Sequence, residues 1–168
     1  MTRYKIMTLI ALFTFVLGLA LAGDVVAGEK WKGRTTKYCV KWEPINVADQ
    51  EGHVIAVCEY KHITSQIEAR GFSEPAVGWE TDLLDINMKT AQGHGHGYGE
   101  FAWKDGSKVF YYWKGKIVEP GHWEVDVTYT GGTGRFEGIQ GKGRSSGYVL
   151  APNQTCSDWE MEVELPRR

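Results

Sequence analysis

Polar and apolar residues alternate along most of the chain. From His122 onward, Trp123, Val125, Val127 and Tyr129 are apolar, while Glu124, Asp126, Thr128 and Thr130 are polar. Near the C-terminus Trp159, Met161, Val163 and Leu165 interleave with Asp158, Glu160, Glu162 and Glu164. A period of two is the mark of a strand buried on one face. The same reading predicts strands over 35–43, 53–62, 66–72, 79–88, 97–104, 108–117, 122–130, 141–150 and 156–165. Turn chemistry falls between them at 49–52, 73–75, 104–107, 119–121 and 151–153, where Gly, Pro, Asp, Asn and Ser concentrate. No helical period of useful length follows residue 22. The pattern predicts an all-β domain of eight or nine antiparallel strands, a sandwich or an up-and-down barrel. Closure favours the barrel, because it removes exposed edges from a chain that is nearly all strand.

The N-terminus follows a different rule. Arg3 and Lys5 precede a mostly apolar run that ends in Ala20-Leu21-Ala22. A charged start, a short apolar centre and a small-x-small site predict a secretory signal peptide over 1–22, with a second cleavage site after Ala27. The mature chain is then a single domain over 23–168, periplasmic or secreted, without a stable membrane anchor. The net charge of −2 becomes more negative once Arg3 and Lys5 leave. A mildly acidic chain without a basic cluster argues against nucleic acid as a partner. Cys39, Cys58 and Cys156 would enter an oxidising compartment. Their odd number predicts one disulfide and one free thiol, with Cys39–Cys58 and Cys39–Cys156 equally reasonable if the last strand returns beside the first.

The segment Thr130-Gly-Gly-Thr-Gly-Arg-Phe-Glu-Gly138 reads as a strand end, a tight glycine turn and a cramped loop. Gly131, Gly132, Gly134 and Gly138 suit positive φ or close backbone approach, and Phe136 suits a plug beneath the loop. A phosphate-cradling loop would need a helix afterwards; Arg144-Ser-Ser-Gly-Tyr-Val-Leu150 is strand-like instead. The segment resembles the Gly-Gly-Thr-Gly-x-Phe-x-Gly signature of the calycin-like superfamily that includes allene oxide cyclases, dirigent proteins and bacterial secreted proteins. The 93–101 glycine stretch, the Trp103-Lys-Asp-Gly-Ser107 hairpin and the Tyr112-Trp-Lys-Gly-Lys116 strand look like its bacterial members. The resemblance implies an eight-stranded barrel. It carries over only the turn glycines and Phe136, and names no catalytic or ligand-contacting residue.

Candidate chemistry is thinner. His94, His96, Tyr98 and Glu100 share one strand face between alternate glycines, with His122 a strand or two later. Two histidines and a carboxylate on one face suit a first-row metal, and His-x-His-x-x-x-Glu is similar to the first metal motif of cupins. Rim histidines at a bent strand fit the same residues, and no tightly bound metal is expected. Glu80, Asp82 and Asp85 make one strand acidic, and 158–164 makes another. Paired carboxylates can do acid–base work, but four acids on one strand face are more simply a solvated exterior. All seven Trp lie beyond the leader. With the tyrosines they either fill the barrel or line a pocket for a flat compound.

The leading expectation is an exported barrel that binds a small apolar or aromatic compound in its interior, without a cofactor, as a monomer or an oligomer. Three alternatives stand beside it: a cofactor-independent cyclase or isomerase, a metal-dependent cupin-like protein, and an interaction barrel with a filled core.

Overall fold

Strand pairing runs in chain order and closes on itself. The structure, a computed structural model, describes residues 28–69 and 73–166; the leader and its cleavage sites after Ala22 and Ala27 lie outside them. The strands are β1 (Glu29–Asn46), β2 (His53–Glu68), β3 (Ala76–Asn87), β4 (Gln92–Ala102), β5 (Lys108–Glu119), β6 (His122–Thr133), β7 (Gln140–Ala151) and β8 (Gln154–Glu164). Each pairs antiparallel with the next, and β8 pairs with β1 from Glu29↔Val163 to Tyr38↔Gln154. The result is a closed eight-stranded antiparallel barrel, as the alternation predicts.

Several strands differ from their predicted limits; β1 begins at Glu29 rather than Thr35, and β3 at Ala76 rather than Trp79. The stretches 53–62 and 66–72 are one strand as far as Glu68, because Thr64 and Ser65 continue the ladder opposite Thr35 and Arg34. Residues 70–72 lie outside the described residues. β4 starts at Gln92 rather than Gly97, since its glycines pair with β3 residue by residue despite lacking side chains to mark an amphipathic pattern.

One end of the interior is packed solid. Trp31, Ile67, Val109, Tyr129, Met161 and Val163 are all at least nine-tenths buried there. A 3₁₀ turn, Gly134–Phe136, follows β6 and drives Phe136 into this end, 5.8 Å from the Trp31 ring and 4.5 Å from Trp103. Gly134 makes that turn possible: its φ is +60°, and a Cβ there would sit 2.4 Å from Ser107 Oγ. Ser107 Oγ accepts the Arg135 N–H at 3.1 Å and donates to Asp105 Oδ2. The hairpin between β4 and β5 therefore locks the plug.

The outside is divided. Tyr38, Val40, Ile63, Val77 and Trp79 are exposed on the β1–β3 wall. The wall around β8 carries cross-strand ion pairs, including the two-pronged Arg34–Asp158 contact at 2.7 and 2.9 Å. The acids Asp158, Glu160, Glu162 and Glu164 are exposed, as the alternation in that strand predicts.

The expected disulfide does not form; all three cysteines are free. β1 does neighbour both β2 and β8, but the register is wrong. Cys58 lies opposite Trp42 and Cys156 opposite Thr36, while Cys39 lies opposite Tyr60. The ladder shifts register between Cys39 and Lys41. Alternation also sends Cys156, next to inward Ser157, to the outer face, away from inward Cys39. Burial pushes the Cys58 thiol up to about 12, so it is an inert core thiol.

Candidate functional site

Above the packed end, the barrel turns polar and then hollow. The inward positions of β3 are Gly78, Glu80, Asp82, Leu84 and Ile86, while Trp79 and Leu83 face out and are exposed. This inverts the expected amphipathicity. Glu80 and Asp82 are not solvated exterior: they are 2% and 5% exposed. The acids of β8 and of β3 therefore follow opposite rules, and only the burial of a polar cluster explains the second.

That cluster draws on four strands. The Glu80 side chain is fully buried and accepts from Lys37 Nζ of β1 and, at 2.5 Å, from the Tyr111 O–H of β5. Because Tyr111 spends its proton on Glu80, the His62 Nε2–H of β2 donates to the Tyr111 oxygen across 3.1 Å. Nδ1 is then the bare nitrogen of a neutral imidazole, and it has no hydrogen-bond partner among the described residues. Burial lowers the His62 pKa to about 4, with the Lys37 charge helping and the Glu80 charge opposing. Burial works against the Glu80 charge, but Lys37, the His62 site and the Tyr111 hydrogen bond hold its pKa below the ordinary value. Asp82 has the opposite fate. Burial first, the Glu80 charge second, and a hydrogen bond to Glu80 hold its carboxyl well above the usual carboxylate range, with Lys37 and Trp113 opposing. One acid of the pair is sealed and held towards its charged form; the other is held towards its neutral form.

Asp82 also faces the hollow. A cavity of about 210 Å³ lies over it, with Lys37, Tyr60 and Asp82 as its polar floor and His94, Lys116 and Thr155 also on its border. Leu84, Ile86, Ile117, Val125 and Val149 form apolar walls, and the Trp113 and Trp123 rings complete them. A cavity of about 150 Å³ lined by aliphatic and aromatic groups holds benzene, so this one has room for one to two rings. Trp113 Nε1–H donates to Asp82 Oδ1 at 3.0 Å.

The alternate glycines of β4 make this packing possible. A Cβ at Gly97 would lie 2.2 Å from Asp82 Oδ1 and 2.5 Å from Trp113 Nε1; one at Gly99 would lie 2.3 Å from the Tyr111 hydroxyl. The indole, the phenol and the carboxyl lie against bare backbone. In this motif the glycine face packs against the site, and of the two histidines only His94 also borders the cavity.

The histidines of β4 point the other way. His94 is exposed, with Nε2 3.9 Å from Asp85 Oδ2, and Asp85 Oδ1 is engaged by His53 Nε2 at 2.8 Å. The His96 ring lies 6.1 Å from Tyr112. Both Glu100 carboxylate oxygens accept from Lys108 Nζ at 2.9 Å. His122 bonds Ser146 Oγ at 2.9 Å and stacks on Tyr148 at 4.2 Å. These four residues do not converge, and no group of three or more His, Cys, Asp or Glu among the described residues is placed to hold a metal ion. A broad outer-wall depression lined by His96, Lys114, Asp126, Arg144 and Glu160 is a surface of mixed charge.

Sequence reasoning missed Lys37, His62 and Glu80 as a unit, and it missed Asp82 as an inward group. The available signal was parity in β3: Trp79 and Leu83 alternate with Glu80 and Asp82, so one set had to face solvent.

No family model matches the chain, and no curated protein matches it. Among solved structures the chain is similar to a pyocyanin demethylase, at 11% identity over 79% of this chain and 98% of that one, with a TM-score of 0.39. At that score the likeness says nothing of ligand or reaction.

Proposed function

We propose that the barrel binds a small, flat, apolar or aromatic compound in the cavity above Asp82, with its own side chains and no cofactor supplying the contacts. The observation that carries this reading is the asymmetry of the interior: aromatic packing and Phe136 close one end, and the other keeps an apolar-walled space with a polar floor. Burial of apolar area supplies the affinity. The Gly131–Gly138 segment and the closed eight-strand topology support placing the chain in the allene-oxide-cyclase-like superfamily. The charged, apolar and small-residue order of residues 1–22 supports export.

The test is a tryptophan-fluorescence titration with naphthalene, indole and 2-tetralone, since Trp113 and Trp123 line the cavity. Saturable quenching that is little changed by salt is expected. Leu84→Phe should fill the space and abolish it. Absence of quenching by all three compounds, or unchanged quenching in Leu84→Phe, rejects the reading and promotes the interaction barrel.

A further inference from the structure

We propose that Asp82 is a proton-transfer group, and that the compound held above it is a neutral conjugated or aromatic ketone whose carbonyl oxygen rests on the Asp82 carboxyl. The inference rests on the binding reading above and adds a reaction class: a prototropic isomerisation that needs no oxidant, reductant or cofactor.

The geometry assigns the roles. The Trp113 Nε1–H, 3.0 Å from Oδ1, makes that oxygen an acceptor, which leaves Oδ2 for the carboxyl proton, shared between the Glu80 carboxylate beside it and an acceptor held in the cavity. Glu80 cannot take the same part: its side chain is sealed from solvent and its two oxygens are engaged by Lys37 and Tyr111. Lys37 lines the floor, but its charge is committed to Glu80. The groups facing Asp82 are therefore Lys37 from β1, Cys58 and Tyr60 from β2, Glu80 beside it, and Tyr111 and Trp113 from β5; His62 faces Glu80 and Tyr111. β4 contributes only the bare backbone at Gly97. Burial keeps Tyr60 protonated, a second neutral donor on the same floor.

This floor selects the ligand's chemistry. An anionic ligand would lie beside buried Glu80 with Lys37 already committed. A cationic ligand would find Asp82 neutral. A neutral acceptor satisfies Oδ2–H at no charge cost, and a carbonyl is the acceptor whose neighbouring C–H becomes acidic when its oxygen is bonded. As the Asp82 O–H bond breaks, the substrate O–H bond forms. The carboxylate so produced, steadied by Trp113, takes a proton from the carbon next to the carbonyl, which leaves an enol and restores the acid. Running the same pair of transfers at another carbon of the conjugated system gives the isomer. No electrons enter or leave.

The experiment follows exchange of the α-hydrogens of 2-tetralone in D₂O by mass spectrometry, alongside quenching by the same compound. The protein should accelerate exchange over buffer. Asp82→Asn should lower that acceleration on the order of a hundredfold while 2-tetralone still quenches. Exchange should also fall at alkaline pH, as Asp82 loses its proton. Trp113→Phe removes a hydrogen bond that favours the carboxylate, so it should move that alkaline limb to higher pH. This second variant decides the matter if Asp82→Asn does not fold. Quenching without exchange overturns the inference and leaves the binding reading standing; absence of both overturns both. Wild-type exchange in folded Asp82→Asn, or an unmoved limb in Trp113→Phe, also overturns it.

Discussion

The two ends of the barrel interior are built by the same alternation, yet one is solid and the other hollow. At the solid end the inward positions carry Trp31, Val109, Tyr129, Met161 and Val163, and the 3₁₀ turn adds Phe136 from outside the strand pattern. At the hollow end β4 and β7 turn glycines inward, at Gly95 and Gly147 among others, and no loop among the described residues inserts a plug. Between the two lies a polar layer that neither end needs for closure. An eight-stranded barrel is wide enough to be filled or to hold one small ligand, and this chain does one at each end. Polar groups placed at the boundary are therefore both buried and within reach of the cavity.

The sharpest way to break this comparison is to remove the plug. Phe136→Ala deletes a ring that is 2% exposed and packed between Trp31 and Trp103. It should cost about 4 kcal/mol, read as a lower denaturant midpoint. A loss well under 1 kcal/mol would mean that the strands close that end without the turn. Lys37→Met tests the boundary layer instead, by leaving Glu80 charged, buried and without its cation. Breaking a buried pair this way should cost about 3 kcal/mol, near the low end of such losses, because the Lys37 side chain is 17% exposed. Lys37→Met/Glu80→Gln together should recover part of the loss in the same measurement.

How much of this was legible follows from the same contrast. The solid end was largely readable, because its inward residues are apolar and obey the period of two: β5 starts where predicted, and the turn glycines and Phe136 were singled out, although Trp31 lies before the predicted start of its strand. The hollow end was not. Its wall of β4 shows no side chains on the face that matters, so His94 and His96 drew the eye to the outside. Its floor puts Glu80 and Asp82 inward, where a rule based on hydrophobicity sends them out. The cysteines failed for another reason: neighbouring strands were predicted, but the shifted register near Cys39 was not.

Acidity separates the two members of the boundary layer that titrate in opposite senses. His62, held neutral with its pKa lowered from 6.5 to about 4, contributes stability that is present above 6.5 and lost as pH falls to about 4. Asp82, held protonated, contributes stability that is complete below its unfolded pKa of about 4 and lost as pH rises through its folded value. Where the pH lies above about 4 and below both 6.5 and the raised Asp82 value, the folded chain keeps the Asp82 proton and the unfolded chain keeps the His62 proton, so the pair contributes no slope. Asp82→Asn should expose a loss towards acid of up to about 1.4 kcal/mol per pH unit across that window. His62→Gln should expose a loss of the same size towards alkali. Glu80, held low, adds acid lability only as pH falls below its ordinary 4.5. Denaturant midpoints from pH 4 to 8 in the two variants read these slopes, and parallel profiles would contradict the opposed assignment.

The smallest effect belongs to the outer wall, and its smallness is the point. His96 and His122 occupy the solvent side of β4 and β6, with the glycine backbone of β4 and inward Trp123 between them and the cavity. The His96 ring lies 6.1 Å from that of Tyr112, tilted at 44°, and His122 exchanges one hydrogen bond with Ser146 and a ring face with Tyr148. Neither contact reaches Asp82. The double variant His96→Ala/His122→Ala should therefore leave quenching by 2-tetralone unchanged and the denaturant midpoint nearly so, as ordinary surface substitutions do. Gly97→Ala, one residue along the same strand but on the inner face, should abolish quenching, because its Cβ would collide with the Asp82 carboxyl and the Trp113 indole. If the histidine variant lost binding and the glycine variant kept it, the site would lie on the outer wall and the cavity would be only a packing defect.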